Sequence, residues 1–208
     1  MSRCNTSRSA RTHSNRWQHA IYTVDNTSHL LHTDANKGRE ANAYLSYILR
    51  NYESLPSVVA FVHPHRDGYP AAWHNDASNY DNVNSLRALD VNFVQLNGYA
   101  NPRCIWIPGC PDEFHPHREP PKVVDGGEST EQALASVWPL FFAPQAVPSI
   151  IGTPCCAQFA VSRDQIRKRP LLDYVRYHDW LMKTDLSDDV SGRVFEYLWH
   201  IIFGQDPI

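Results

Sequence analysis

Arg193, Glu196 and His200 recur at helical spacing near the end of the chain, within Ser191–Gly204. At about 100° per residue they share one gap only about 60° wide. Val194, Tyr197, Leu198, Ile201 and Ile202 form a broad apolar arc beside it, and Trp199 and Phe203 cover most of the remaining circumference. Such a helix is built for burial. A buried Arg, Glu and His must pair with one another, as an internal ion-pair stripe, or form one wall of a site. A second polar cluster lies in His63-Pro-His65-Arg66 and Trp73-His74-Asn75-Asp76. Its imidazoles, guanidinium and carboxylate are the groups that serve as acid, base or anion clamp. A hydrogen-bonded loop without chemistry is the alternative. The only dense basic patch outside the N-terminus is Arg163, Arg167, Lys168 and Arg169. Its helix N-terminus would suit a phosphate or an RNA end, whereas the plain alternative is a solvated basic helix.

Elements able to position these groups follow from periodicity. Ala41, Tyr44, Leu45, Ile48, Leu49 and Tyr52 predict a helix over Arg39–Tyr52, and Val58–His63 reads as a buried strand. Arg16–Asp25 contains a short apolar run suited to a strand, and Val91–Leu96 reads as another. A helix is expected over Tyr80–Leu89, and an exposed loop over residues 112–127. Ser129 with Gln132 forms a capping box for a helix reaching Phe142. Cys156–Val161 resembles a strand, with Cys155-Cys156 packing at its end. Ser162 and Gln165 then open a short basic helix that Pro170 closes. Helices over Leu171–Lys183 and Asp189–Phe203 follow, with Gly204 as the stop. Strands alternating with helices predict an α/β fold, a mixed and mostly parallel sheet flanked by helices.

A chain of 208 residues with 42% apolar content supports one core. We expect a disordered lead-in over residues 1–15 and a single domain over 16–208. Four arginines and no acid within residues 1–16 leave an acidic body, since the net charge is −3. That argues against a protein that coats nucleic acid by charge. No run approaches the ~18 apolar residues of a membrane span, and no apolar run follows the N-terminal charges as in a secretory signal. Five cysteines make a poor disulfide framework, so the expected setting is reducing and cytoplasmic. Cys104 and Cys110 with His115 and His117 match no short zinc knuckle, and no metal or cofactor is expected. Glycine-rich nucleotide motifs, a Gly-x-Ser-x-Gly elbow and an Asp-x-Asp triplet are absent, the nearest form of the last being Asp90-Val91-Asn92.

Taken together, several blocks resemble a fungal family long catalogued only as a domain of unknown function. They include Asn36–Glu40, Tyr44–Leu49, Phe61–Arg66, Trp73–Asp76, Gly98–Cys104, Cys155–Arg163 and Ser191–Gly204. Some members look like arginine-containing cyclodipeptide synthases, which take aminoacyl groups from charged tRNAs and release a diketopiperazine in fungal secondary metabolism. The family also looks similar to the glycosyltransferase-A fold. The resemblance implies arginyl-tRNA and a second aminoacyl-tRNA as partners. His74 and His200 would serve as bases for the α-amine, and Asp76 and Glu196, then Glu40, as carboxylates for the guanidinium. His63, His65, Arg66, Arg103, Gln158 and Arg193 would line the substrate, with Arg66 or Arg193 meeting an oxyanion or terminal phosphate. Arg163, Arg167, Lys168 and Arg169 would hold tRNA. Two elements of the family pattern are missing: an additional strand before Trp17, and the acidic Asp-x-Asp associated with activity. The rival reading is a glycosyltransferase-like enzyme or a catalytically silent relative.

Overall fold

A computed structural model describes residues 17–122 and 128–208, so the expected lead-in over residues 1–15 lies outside the described residues. In chain order the elements are α1 (Glu40–Asn51), β1 (Val58–Phe61), α2 (Asn82–Ala88), α3 (Val91–Asn97) and β2 (Tyr99–Ala100). They continue with α4 (Thr130–Phe142), β3 (Phe159–Ser162), α5 (Arg163–Arg167), α6 (Leu171–Lys183) and α7 (Asp188–Ile202).

The fold is mixed α/β, but its sheet is not the mostly parallel one expected. Three short strands run in the order β1-β3-β2, and both pairings are antiparallel, with Phe61 opposite Phe159 and Tyr99 opposite Val161. The expectation failed because two of its strands do not exist as such. Val91–Leu96 is helical: the Asp90 carboxylate accepts the N–H groups of Asn92 and Phe93, and Gly98 at φ 86° stops the turn. In the Trp17–Asp25 run only Thr23 bridges, to His32, and Ile21 lies 68% exposed. The other expected helices form. Ser129 and Gln132 close their capping box, and Gly204 ends α7 at φ 77°.

Helix α7 is the centre of the molecule. Its apolar arc packs against α1 and α4, while Trp199 and Phe203 meet the sheet through Phe159 at 5.5 and 5.4 Å between ring centroids. Tyr44 of α1 completes this aromatic layer, 6.0 Å from Trp199 and 4.7 Å from Phe61. The last carbonyls of α7 are met by Arg169. Its guanidinium donates to the carbonyls of Ile201 and Ile202 and to the Tyr177 hydroxyl, and lies 5.1 Å above the Phe142 ring. Arg167 likewise donates to the carbonyls of Tyr52 and Glu53, and Lys168 to the Gln165 side chain. Two members of the expected tRNA patch thus hold backbone.

Arg169→Ala should therefore lower unfolding stability by about 1–3 kcal/mol, the range for a charged hydrogen-bonding group removed from part-buried acceptors. Urea unfolding of that variant beside Arg163→Ala, whose side chain pairs among the described residues with Asp164 at 3.6 Å, measures the difference. Equal and negligible losses would contradict a structural role for Arg169.

Candidate functional site

Glu40 opens α1 and Glu196 sits at the middle of α7, and where these two helices pack the half-buried Glu40 feels the charge of the half-buried Glu196, a partly buried region called the recess below. Among the described residues no cation pairs with either of them. The two nearby guanidiniums are engaged elsewhere: Arg39 pairs with Asp189, and Arg193 reaches Glu113 at 3.8 Å while lying over the Tyr197 ring. Burial pushes the Glu40 carboxyl up to about 7, and the charge of Glu196 pushes the same way against Arg39. Burial also raises Glu196, opposed by Arg193, by the Cys156 N–H and by Arg39. The Glu196 carboxylate accepts that N–H at 2.7 Å.

The histidine loop reaches the same recess. His63 and His74 face each other with ring centroids 4.3 Å apart. Burial, followed by the charges of His74 and His65, drives His63 down to about 4, with the Cys156 backbone opposing that fall. His74 is lowered too, by burial first and then by His65 and Arg103. Both are therefore neutral imidazoles at pH 7, and Nε2 of His63 and Nδ1 of His74 are buried without a partner. A neutral imidazole with a free nitrogen is a proton acceptor in waiting.

Buried amides hold this loop in place. Gln158, on the approach to β3, accepts the His63 N–H and donates to the His74 carbonyl and to Asn82. Asn82 donates to the His65 carbonyl, and Asn75 donates to Asn82 and to the Tyr80 carbonyl. Gln158, expected to touch substrate, is instead the post on which both histidines are mounted. Arg103, also expected to do so, is 4% exposed, donates to the carbonyls of Trp73 and Ile107, and stacks 4.8 Å from the Trp73 ring.

Other expected members lie apart from the recess. Asp76 is exposed and accepts the Cys104 N–H. His65 and Arg66 are exposed, with Arg66 beside Asp67 at 3.5 Å. His200 is 5% exposed, pushed down to about 4 by burial, and meets the Pro207 carbonyl at 3.4 Å. The stripe on α7 is accordingly split, with Glu196 and Arg193 toward the recess and His200 toward the C-terminal tail.

Two features escaped sequence reasoning. Tyr44 was read as core only, yet its hydroxyl is buried, unpartnered and within the field of Glu40 one turn earlier on α1. The four-residue spacing on one helix face was the available signal. Cys155 and Cys156, expected to pack as free thiols, are joined by a disulfide, and Cys104 is disulfide-bonded as well. Adjacent cysteines are a poor framework for linking distant segments, which is why the count misled. Here the bond constrains one turn instead.

A mixed α/β domain with a recessed pair of carboxylates beside two neutral imidazoles is the class of protein defined so far. The chain belongs to a family described as a protein of unknown function, DUF3431, whose model matches residues 3–208. No curated protein and no solved structure matches it. No helix among the described residues is long and apolar enough to cross a membrane.

The Glu40 shift has a signed consequence. Its folded pKa of about 7 exceeds the ordinary value of 4.5, so the unfolded chain releases the proton first. Stability must then fall as pH rises from 4.5 through 7. Glu40→Gln should match the parent near the lower limit and exceed it by about 1–3 kcal/mol above the upper one. Chemical denaturation across that range reads the difference, and a flat profile would contradict the assignment.

Proposed function

We propose that this chain is an aminoacyl-tRNA-dependent synthase that joins arginine to a second aminoacyl group as a cyclic dipeptide. One observation carries the reading: Glu40 and Glu196 are recessed together with no cation among the described residues paired to either. Two such carboxylates are unfavourable unless a ligand supplies positive charge. A guanidinium is planar, permanently charged and weakly hydrated, and it donates to two carboxylates at once. Glu40 takes the place that Asp76 was expected to fill, because Asp76 faces outward.

The chemistry follows from the neighbours. Aminoacyl esters arrive already activated, so no nucleotide motif is required. One α-amine must lose a proton as its nitrogen attacks the other ester carbonyl. The unpartnered Nδ1 of His74 accepts that proton, with His63 packed against it. The C–N bond forms as the ester C–O bond breaks, and the ribose hydroxyl of the leaving tRNA takes up a proton. A second attack of the same kind closes the ring and frees the second tRNA. Arg193 and Arg39 stand at the rim, 47% and 57% exposed at the side chain, suited to a terminal phosphate. On and just after α5, by contrast, Arg167 and Arg169 hold backbone carbonyls.

Incubation of the purified protein with an arginyl-tRNA-generating system and each second amino acid, read by mass spectrometry, should yield an arginine-containing cyclic dipeptide. Glu196→Gln should reduce its rate by about 10²-fold or more, the scale of a lost positioning contact, while the fold stays intact. Silence with every partner amino acid, from folded protein, would overturn the reading.

A further inference from the structure

The turn Cys155-Cys156-Ala157 stands between the two halves of the recess, and the backbone of one residue bears on both. The Cys156 N–H donates to Glu196 at 2.7 Å. The Cys156 backbone also acts on the His63 ring, favouring its protonated form against burial. Serving two walls from one residue requires an unusual backbone. Cys156 has φ 93° and Ala157 φ 50°, the left-handed region that side chains other than glycine rarely adopt. Such conformations persist only when their surroundings hold them. On the N-terminal side the turn is tied down by the Cys155 N–H on the Pro108 carbonyl and the Thr153 N–H on the Gly109 carbonyl. On the other side it runs directly into β3. Between those anchors the constraint is the Cys155–Cys156 bond.

We propose that this adjacent-cysteine disulfide is a redox latch on the site: oxidised, it fixes the Cys156 peptide so that Glu196 and His63 are both oriented, and reduced, it releases them. The inference rests on the site assigned above and adds its regulation. Cys155 is buried, whereas Cys156 is partly exposed, so a reductant reaches the Cys156 sulfur first. A dithiol reductant supplies the two electrons. Its thiolate attacks Cys156 Sγ, the bond to Cys155 breaks, and Cys155 departs as a thiolate that takes up a proton. The second thiol of the reductant then displaces Cys156 as a free thiol and leaves as a cyclic disulfide. With the link gone, Cys156 and Ala157 relax toward ordinary φ, and the Cys156 backbone turns away from Glu196 and His63.

The test uses the full chain with ¹⁵N-labelled histidine. Alkylation without reductant followed by mass spectrometry should find the peptide carrying both cysteines unmodified and two hydrogens lighter than its dithiol. Dithiothreitol should then shift the His63 ring nitrogens, assigned by their loss in His63→Gln. The paired variant Cys155→Ser/Cys156→Ser should show the reduced signature with or without reductant. Product formation should fall by about 10²-fold on reduction, as expected for misplaced catalytic groups, and return on reoxidation. Alkylation of both thiols in the untreated folded protein would overturn the latch, and so would unmoved His63 signals after complete reduction. The histidine signals need no turnover, so their failure differs from failure of the synthase reading, in which no product forms in either redox state.

Discussion

Helix α7 buries ten of its fifteen residues, and the rest of the molecule is arranged around an aromatic helix that carries a carboxylate at its middle. Its rings pack into a continuous layer with Tyr44, Phe61 and Phe159, so the helix can neither rotate nor slide without breaking many contacts. Glu196 is fixed by that packing. Its carboxylate stands where solvent is scarce and where Glu40, carried by the neighbouring helix, adds charge of the same sign. The apolar core thus sets the electrostatic character of the recess. Glu40 stores unfavourable energy that a cationic ligand would relieve, a common feature of sites where burial is used to shift a carboxyl.

The histidine half is held by a different force. Gln158, Asn82 and Asn75 are almost fully buried and satisfy one another and the loop backbone. Such amide networks specify one arrangement, because a shifted loop would strand several polar groups at once. The outcome is a loop without regular secondary structure around His63 and His74 that nonetheless presents two neutral imidazoles in contact, tilted at 54° to each other. Glu196 accepts the Cys156 N–H and the Cys156 backbone also acts on His63, so the helical and the loop halves of the site meet at a single residue.

Much of this was legible in the sequence where local rules govern. The burial of α7, the Ser129–Gln132 capping box and the Ser162 cap follow from periodicity and residue type. Sheet direction was not legible, since antiparallel pairing of β1 with β3 joins segments roughly a hundred residues apart, and no local pattern encodes that partner. The strand read at Val91–Leu96 lost to the Asp90 cap, a short-range signal that outweighed β-branched composition. Arg103, Gln158 and Arg169 carry polar groups that look available for ligands in a sequence, yet all three bond backbone or buried side chains. Whether a polar residue faces a ligand or a carbonyl depends on tertiary neighbours, and that is where sequence reading of the site stopped.

The central proposal is that Glu40 and Glu196, which form no ion pair among the described residues, together receive a cationic ligand. Carboxyl ¹³C NMR titration of both side chains, with and without argininamide, tests it most directly. The account predicts a Glu40 midpoint near 7 in the free protein, falling toward the ordinary carboxylate range when the guanidinium binds, with Glu196 moving in the same direction. A Glu40 midpoint already at 4.5 without ligand, or one that saturating argininamide leaves unmoved, would contradict it.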